Sequence, residues 1–340
     1  MTVIAMFCLW ALAGCLGSHL AIRLGVKDVP NDRSSHTKIT PRGGGIAFIG
    51  LGLVGVMGLA YATLGSAGTL VVCGYVVAVL LIAVTGLVDD IYGLSARFRF
   101  GVQFLSVVMM VGLSWQFMGL SDLPVLVLAV ACVAGVWVIN AFNFMDGIDG
   151  IAGVQALFVL GMGAWAFASA DQMFLALTCL SFAAPVIGFL VTNLPPAKIF
   201  MGDVGSGALG AVFALLIVAS VMVAPQASAV LCIALAPFLV DATLTLIRRL
   251  LRGERPSEAH REHLYQRMTQ HFGDHRKTLL VWTLGNVATC VPVSALVIVQ
   301  AIGPITGVVT IYVVLSAIHS WAAQRLPSRQ GSADSQSTRQ

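Results

Sequence analysis

The stretch of sequence that decides the fold spans residues 140–150, which read N-A-F-N-F-M-D-G-I-D-G and follow a long apolar run. Polar side chains recur in it at every third position, at Asn140, Asn143, Asp146 and Asp149. An ionised side chain at the centre of a membrane helix costs about 2.5–3.5 kcal/mol on insertion scales, so we expect this stretch at a helix end, in a wet cavity or beside cations. A three-residue step rotates a helix by about 300°, which allows the first three polar residues to share one face. The alternative interpretation is a polar loop between two membrane helices.

The composition is that of a polytopic membrane protein. Of the 340 residues, 58% are hydrophobic and only 10% are charged, whereas a soluble domain carries about 25% charged residues. The formal net charge of +4 therefore does not indicate a nucleic-acid partner, and no nucleic acid is predicted to bind. All seven cysteines lie inside apolar runs, so we interpret them as small buried residues and not as disulfide or zinc ligands.

Eleven apolar segments are each long enough to cross a bilayer, which takes about 17–25 residues. We therefore predict an all-α polytopic integral membrane protein with about eleven transmembrane helices. The predicted spans are 2–22, 43–64, 68–88, 101–119, 123–141, 151–169, 173–192, 207–224, 227–247, 278–300 and 304–323.

Basic residues decide the predicted orientation. All 19 Lys and Arg residues lie in one alternate set of connections or in the tail, and such residues concentrate on the cytoplasmic side of membrane proteins. The N-terminus is thus predicted to be periplasmic and the C-terminus cytoplasmic. We predict one transmembrane catalytic domain over 1–323 and a disordered cytoplasmic tail over 324–340. The active site is expected on the cytoplasmic loops 23–42, 89–100, 142–150, 193–206 and 248–277.

The first two loops combine charge with a helix end. Lys38 and Arg42 precede a glycine triplet at 43–45, where backbone N–H groups at a helix start would suit an anion. Basic residues that only set the topology are the alternative. Asp89 and Asp90 close the third span, where mutual repulsion and the helix dipole disfavour adjacent carboxylates unless a cation or a proton compensates. A solvated helix end is the alternative there.

The last two loops hold a carboxylate on a glycine-rich turn and a basic cluster. Asp203 directly precedes the eighth span and suits Mg²⁺, which takes one or two carboxylates together with phosphates and water; a helix N-cap is the alternative. His260, Arg261 and His263 can grip a pyrophosphate, or they belong to an amphipathic helix at the membrane surface. Together the loops predict a site for a diphosphate and a divalent cation, and the membrane setting suggests that one substrate is a lipid.

Three motifs resemble those of the polyprenyl-phosphate N-acetylhexosamine-1-phosphate transferase superfamily, glycosyltransferase family 4. They are V-D-D at 88–90, N-A-F-N-F-M-D-G-I-D-G at 140–150 and F-M-G-D-V-G-S at 200–206. The resemblance covers about residues 23–323. The loop sequences S-S-H-T-K-I-T-P-R-G-G-G and R-P-S-E-A-H-R-E-H-L-Y-Q-R look most like the undecaprenyl-phosphate GlcNAc-1-phosphate transferases that initiate O-antigen chains, to which phospho-MurNAc-pentapeptide transferase is related.

The resemblance implies a reaction in which undecaprenyl phosphate attacks the β-phosphate of a UDP-N-acetylhexosamine. The products are undecaprenyl-diphospho-sugar and UMP. The implied setting is the inner (cytoplasmic) membrane of a bacterial cell, among membrane lipids, with a role in O-antigen, lipopolysaccharide or a related surface glycan. Mg²⁺ is the implied cofactor, and Mn²⁺ is an alternative because oxygen ligands admit both ions. A homodimer is compatible with the sequence.

Motif position also implies residue roles. Asp203, with Asn143, would hold the metal, while Asp89 and Asp90 would act at the lipid phosphate, either as a base or by organising the metal. The other implied substrate contacts are Asp149 and Phe200 for uracil, Lys38, His260, Arg261 and His263 for phosphates, and Arg42, Asn140 and Asp146.

Two positions depart from the family pattern. Gly93 stands where many relatives carry the third Asp of D-D-x-x-D, and His260-Arg261-Glu262-His263 stands where relatives commonly have H-x-H. A transporter or flippase for an anionic polyprenyl lipid or sugar phosphate is the alternative function, and a non-catalytic scaffold is a third. A transporter carries its polar residues near the bilayer midplane, whereas here they collect at one side.

Overall fold

The computed structural model describes residues 2–28, 39–117, 124–255 and 260–326. Within these ranges the chain forms twelve α-helices and one two-stranded antiparallel sheet. The strands are β1 (Val26–Asp28) and β2 (Thr40–Arg42). The helices are α1 (Thr2–Leu24), α2 (Gly45–Thr63), α3 (Gly65–Tyr92), α4 (Ala96–Phe117), α5 (Val125–Phe144), α6 (Ile151–Ser169), α7 (Met173–Asn193), α8 (Asp203–Ser220), α9 (Pro225–Leu251), α10 (Leu264–Phe272), α11 (His275–Ile298) and α12 (Pro304–Arg325).

All of these helices except α10 are long and apolar enough to cross a membrane, which makes eleven in the described part of the chain. Each coincides with one predicted span, so the prediction of a helical polytopic membrane protein is confirmed. The orientation of the termini and the division into one domain and a tail stay predictions. Lys38 and residues 327–340 lie outside the described residues.

The sequence analysis does not predict the strands β1 and β2, and it offers a helix in the last loop only as an alternative. The strands β1 and β2 are only three residues long, which is too short for a period-two pattern to be recognised. The nine-residue helix α10 lies inside the loop predicted at 248–277, and it buries Leu264, Tyr265 and Met268. Its amphipathic pattern is compatible with a helix on the membrane surface. In the structure, however, α10 packs against α11 and α12.

Helix α8 lies at the centre of the bundle. It packs against α2, α3, α4, α5 and α9. Of its residues 83% are buried, whereas only 11% are buried in the most apolar 18-residue stretch of α1. Small residues permit this packing: a side chain at Gly205 would collide with the backbone of Gly45, and one at Gly86 would collide with the backbone of Asp203. The start of α8 is therefore held tightly among the ends of α2 and α3.

The glycine triplet serves this packing. The N–H of Gly44 donates to the carbonyl of Phe200 at 3.0 Å, and that of Gly45 donates to the carbonyl of Met201 at 2.9 Å. The Phe200 N–H in turn donates to the Pro41 carbonyl at 2.8 Å. The expectation that the triplet offers its N–H groups to an anion is therefore wrong for Gly44 and Gly45, because those donors already bind the loop that precedes α8.

Candidate active site

Asp90 holds the start of α8 from a neighbouring helix. Its side chain is only 2% exposed, and its two oxygens accept the backbone N–H groups of Asp203 at 3.1 Å and Val204 at 3.3 Å. An N-cap side chain normally satisfies such donors, but the N-cap position of α8 is Gly202, which has none. A side chain at Gly202 would collide with the Asp90 carboxylate, so the glycine is what lets Asp90 cap the helix in its place.

Asp89 and Asp203 share one cation, Arg99. The Arg99 Nη1 lies 2.6 Å from Asp89 Oδ2 and 3.4 Å from Asp203 Oδ2. Asp89 also accepts the N–H of Leu94 at 2.5 Å. Arg99 therefore bridges two of the three predicted catalytic carboxylates in this structure, and it balances part of their charge.

Sequence reasoning missed Arg99. It was counted only as one of the basic residues that set the topology. Two signals could have revealed it. Arg99 lies ten residues after Asp89 and nine after Asp90, and it stands at the start of an apolar segment. A charge in the first turn of a membrane helix commonly has a partner, and two unbalanced carboxylates were nearby in sequence.

The polar stretch at 140–150 is part helix end and part connection: residues 140–144 end α5, and residues 145–150 join it to α6. Asp146 therefore lies beyond the helix, so the expectation that it shares a helical face with Asn140 and Asn143 is wrong. Asn143 faces the start of α8: Ser206 Oγ donates to its Oδ1 at 3.3 Å, and its carboxamide lies within hydrogen-bonding reach of Asp203. Asn140 instead donates to Gln103 Oε1 at 2.7 Å and to the Val136 carbonyl at 2.8 Å. In this structure Asn140 ties α5 to α4, and its predicted substrate contact stays a prediction.

Asp149 joins two loops. Its Oδ2 accepts the N–H of Ala197 at 3.0 Å, and its Oδ1 lies 3.4 Å from His275 Nδ1 at the start of α11. The next residue, Arg276, donates from Nε to the carbonyl of Pro195 at 3.1 Å. The first turn of α11 thus fastens the loop of Asp146 to the loop of Phe200 and Asp203. His275 and Arg276 were not among the predicted site residues.

The basic cluster of the last loop is partly buried in the structure. His263 lies 3.5 Å from Asp241 Oδ1 and is the N-cap residue of α10. Asp241 also accepts the N–H groups of Leu264 at 2.9 Å and Tyr265 at 3.3 Å. Desolvation, with the nearby charges of His263 and Arg249, lowers the pKa of His260 to about 4. His260 is therefore neutral near pH 7, and its contact with a phosphate stays a prediction.

The remaining predicted residues lie around this centre. Arg42 Nη1 is 3.7 Å from Asp90 Oδ1, and its side chain is 41% exposed. Phe200 is half-buried, and its backbone is fixed by β2 and α2 as described above. Arg261 is half-buried in the loop before α10. That loop adjoins the 140–150 stretch, because Tyr265 Oη donates to the carbonyl of Phe144 at 3.4 Å.

The groups at the start of α8 include a ligand type that Mg²⁺ takes. Asp203 offers a carboxylate beside the side chain of Asn143, and a carboxylate is the protein ligand that Mg²⁺ prefers. No cluster of three or more His, Cys, Asp or Glu residues suited to a metal occurs in the ranges that the structure describes. The residues therefore fit an ion whose remaining ligands are substrate phosphates and water.

Asp146 carries a pH dependence that can be measured. Burial raises the pKa of Asp146 to about 7, and repulsion from Asp203 adds to this while Arg42 opposes it. A carboxyl group whose pKa is higher in the folded than in the unfolded protein makes the fold less stable as the pH rises from the unfolded-state pKa to the folded-state pKa. For Asp146 this range runs from about pH 4 to about pH 7. We expect Asp146→Asn to have a higher melting temperature than the parent protein at pH 8 in EDTA. The difference between the two melting temperatures should shrink as the pH falls towards 4.

Thermal unfolding in detergent at several pH values measures this difference. Added Mg²⁺ should narrow it at pH 8, because a cation near Asp203 offsets the repulsion. A difference that is constant with pH, or a variant that melts below the parent at pH 8, would contradict the assignment.

Comparison with known proteins gives the class. The family model described as glycosyl transferase family 4 matches residues 72–221, a range that runs from within α3 to the end of α8 and includes all the carboxylates around Asp203. A probable undecaprenyl-phosphate N-acetylglucosaminyl 1-phosphate transferase of Bacillus subtilis is 31% identical over 279 residues, which cover 77% of this chain and 75% of the relative. The chain belongs to glycosyl transferase family 4.

Two further relatives have similar coverage. The decaprenyl-phosphate N-acetylglucosaminephosphotransferase of Mycolicibacterium smegmatis is 31% identical over 316 residues, 77% of this chain and 73% of the relative. The undecaprenyl-phosphate alpha-N-acetylglucosaminyl 1-phosphate transferase of Yersinia pestis is 28% identical over 281 residues, 78% of this chain and 75% of the relative. The predicted superfamily is confirmed, and so is the prediction that this membrane protein is a transferase of the sugar-phosphate type.

Proposed function

We propose that this protein transfers an N-acetylhexosamine 1-phosphate from a UDP-sugar to undecaprenyl phosphate, giving undecaprenyl-diphospho-sugar and UMP. The observation that carries the proposal is the meeting of Asp89, Arg99, Asn143 and Asp203 at one end of the helix bundle. Such a combination of anionic and cationic groups is what a site for two phosphates and a divalent ion requires, which supports the proposal. The relatives named above, which act on polyprenyl phosphates and GlcNAc 1-phosphate by their names, support the same reaction.

In the proposed reaction, an oxygen of the lipid phosphate attacks the β-phosphorus of the UDP-sugar. The bond to the α-phosphate bridging oxygen breaks, and UMP leaves with that oxygen and its electron pair. A phosphate monoester is already largely ionised near neutral pH, since its second pKa is about 6. Catalysis then depends on positioning and on charge neutralisation, as in other phosphoryl transfers, and not on a strong base.

The residues of this chain divide the work accordingly. Asp203, with Asn143, would hold the Mg²⁺, and the ion would supply charge neutralisation at the phosphates. Asp90 fixes Asp203 through the start of α8, and Arg99 keeps Asp89 and Asp203 from repelling each other. Arg42 supplies a further positive charge beside Asp90 for the approaching phosphates.

The location and pathway form part of the proposal. The site lies in the inner membrane of a bacterial cell and faces the cytoplasm, where UDP-sugars are made. The product starts an O-antigen or a related surface glycan. The distribution of Lys and Arg supports this orientation.

The test is a reconstituted assay of UMP release. Purified protein in detergent receives undecaprenyl phosphate, Mg²⁺ and each member of a panel of UDP-N-acetylhexosamines, with parallel reactions in EDTA. We expect UMP release that requires both the lipid and the metal, with one sugar preferred. A folded protein that releases no UMP with any sugar of the panel, and binds none of them, would overturn the proposal.

A further inference from the structure

The half of the bundle away from the carboxylates contains a cavity of about 480 Å³. Helices α2, α3, α4, α7 and α8 line it. On α3 the lining begins at the helix start and ends at Val79, ten residues before Asp89, which is about 15 Å along the helix. On α8 it begins at Val212, nine residues after Asp203. The cavity is therefore separate from the candidate active site.

The cavity offers water few partners. Its described lining includes no charged residue, and its side-chain hydroxyls already have partners within the protein. Tyr75 Oη lies 2.9 Å from Ser114 Oγ, and Thr178 Oγ1 donates to the Phe174 carbonyl at 2.9 Å. A buried water typically needs two to four polar partners, and apolar cavities without them bind apolar molecules. The lining therefore favours a hydrocarbon occupant.

The two ends of the cavity differ. The deep end is closed by Val79 and Val212, which are 1% and 2% exposed. The other end carries exposed residues at helix termini: Leu64 before α3, Phe117 at the end of α4 and Val223 after α8 are 39%, 50% and 47% exposed. Any chain that enters comes from the membrane leaflet opposite the carboxylates. The tail of a lipid whose phosphate lies at Asp203 would have to pass the closed end.

We propose that this cavity binds one acyl chain of a phospholipid from the leaflet opposite the active site. The head group lies at the mouth, near Gln172 at the start of α7. The chain fills a space that would otherwise leave the facing side chains without packing contacts. Binding involves no chemical step and does not rest on the proposed transferase reaction.

The test uses a phosphatidylglycerol with a diazirine near the end of one acyl chain, added to the purified full-length protein. Photolabelled peptides are mapped by mass spectrometry in the parent, in Val72→Phe and in Val84→Phe. Val72 lines the cavity and is 6% exposed, while Val84 lies on the same helix, faces outward and is 56% exposed. We expect labels within 64–79 and 172–182 in the parent and in Val84→Phe, and their loss in Val72→Phe.

Two further arms make the result decisive. Ala219→Phe narrows the same cavity from α8, so it replaces Val72→Phe if that variant does not fold, as judged by its melting curve. A second probe, undecaprenyl phosphate with a diazirine near the tail end, distinguishes the isoprenoid chain from the acyl chain. The proposal is overturned if cavity labels persist in the folded variant that carries phenylalanine in the cavity. It is also overturned if labels are confined to outward-facing residues, or if only the isoprenoid probe labels the cavity.

Discussion

Asp203→Asn is expected to lower the rate of UMP release by at least about a hundredfold, the size of effect seen when one electrostatic group of an active site is removed. The amide keeps the shape of the side chain but removes the charge that faces Asn143 and Arg99. A neutral amide is a poorer ligand for Mg²⁺ than a carboxylate. The backbone N–H of residue 203 still binds Asp90, so the start of α8 is preserved. The measurement is initial UMP release at several Mg²⁺ concentrations, beside a melting curve.

The matched control is Asp171→Asn. Asp171 lies between α6 and α7 at the opposite end of the bundle and has a positive φ of 57°, a conformation that Asn tolerates well. This variant should keep the parent rate. Normal turnover in Asp203→Asn would remove Asp203 from the metal site, and equal losses in both variants would show that the change acts through the fold.

Asp90→Asn is expected to lower both stability and activity. Asp90 accepts two backbone N–H groups with its two oxygens, whereas an amide has one oxygen and an NH₂ group that would face the second donor. Leaving one buried donor unsatisfied costs about 1–3 kcal/mol in the free energy of unfolding. Because Asp203 is the first residue of α8, a displaced helix start also displaces the proposed metal ligand, and UMP release should fall with it.

Asp274→Asn provides the comparison. Asp274 is the N-cap of α11 and accepts one N–H, that of Arg276, at 2.8 Å, and Asn caps a helix about as well as Asp. Its melting temperature should match the parent. If Asp90→Asn has the same melting temperature as Asp274→Asn and still loses activity, Asp90 acts on the substrates and not as a helix cap. If neither stability nor activity changes, both roles are wrong.

The spans and the clustering of polar loops could be predicted from sequence because hydropathy and charge are summed over many residues. The apolar runs had to be helices, since a bilayer leaves backbone groups no other partner. The three motifs then indicated which loops meet. The family match and the helices of the structure agree with that part of the prediction.

The details that sequence could not supply are contacts between distant segments. Nothing local at Asp90 shows that its oxygens cap a helix more than a hundred residues later, and nothing at Gly202 shows what its missing side chain makes room for. Likewise, the role of His275 beside Asp149 depends on where the first turn of α11 is packed. Arg99 differs from these, because two nearby carboxylates without a partner were visible in the sequence.

The central position of α8 has a consequence for how the chain tolerates change. A helix whose surface is mostly exposed, such as α1, accepts one apolar side chain for another over that exposed surface. Helix α8 has other helices on nearly all sides, so the limit on its side chains is size. A leucine at Gly210, which hydropathy would favour, would press into the backbone of Ile139 on α5. On α8, a few added carbon atoms are therefore as disruptive as an added charge, and the close glycine contacts on α2, α3 and α7 set the same limit there.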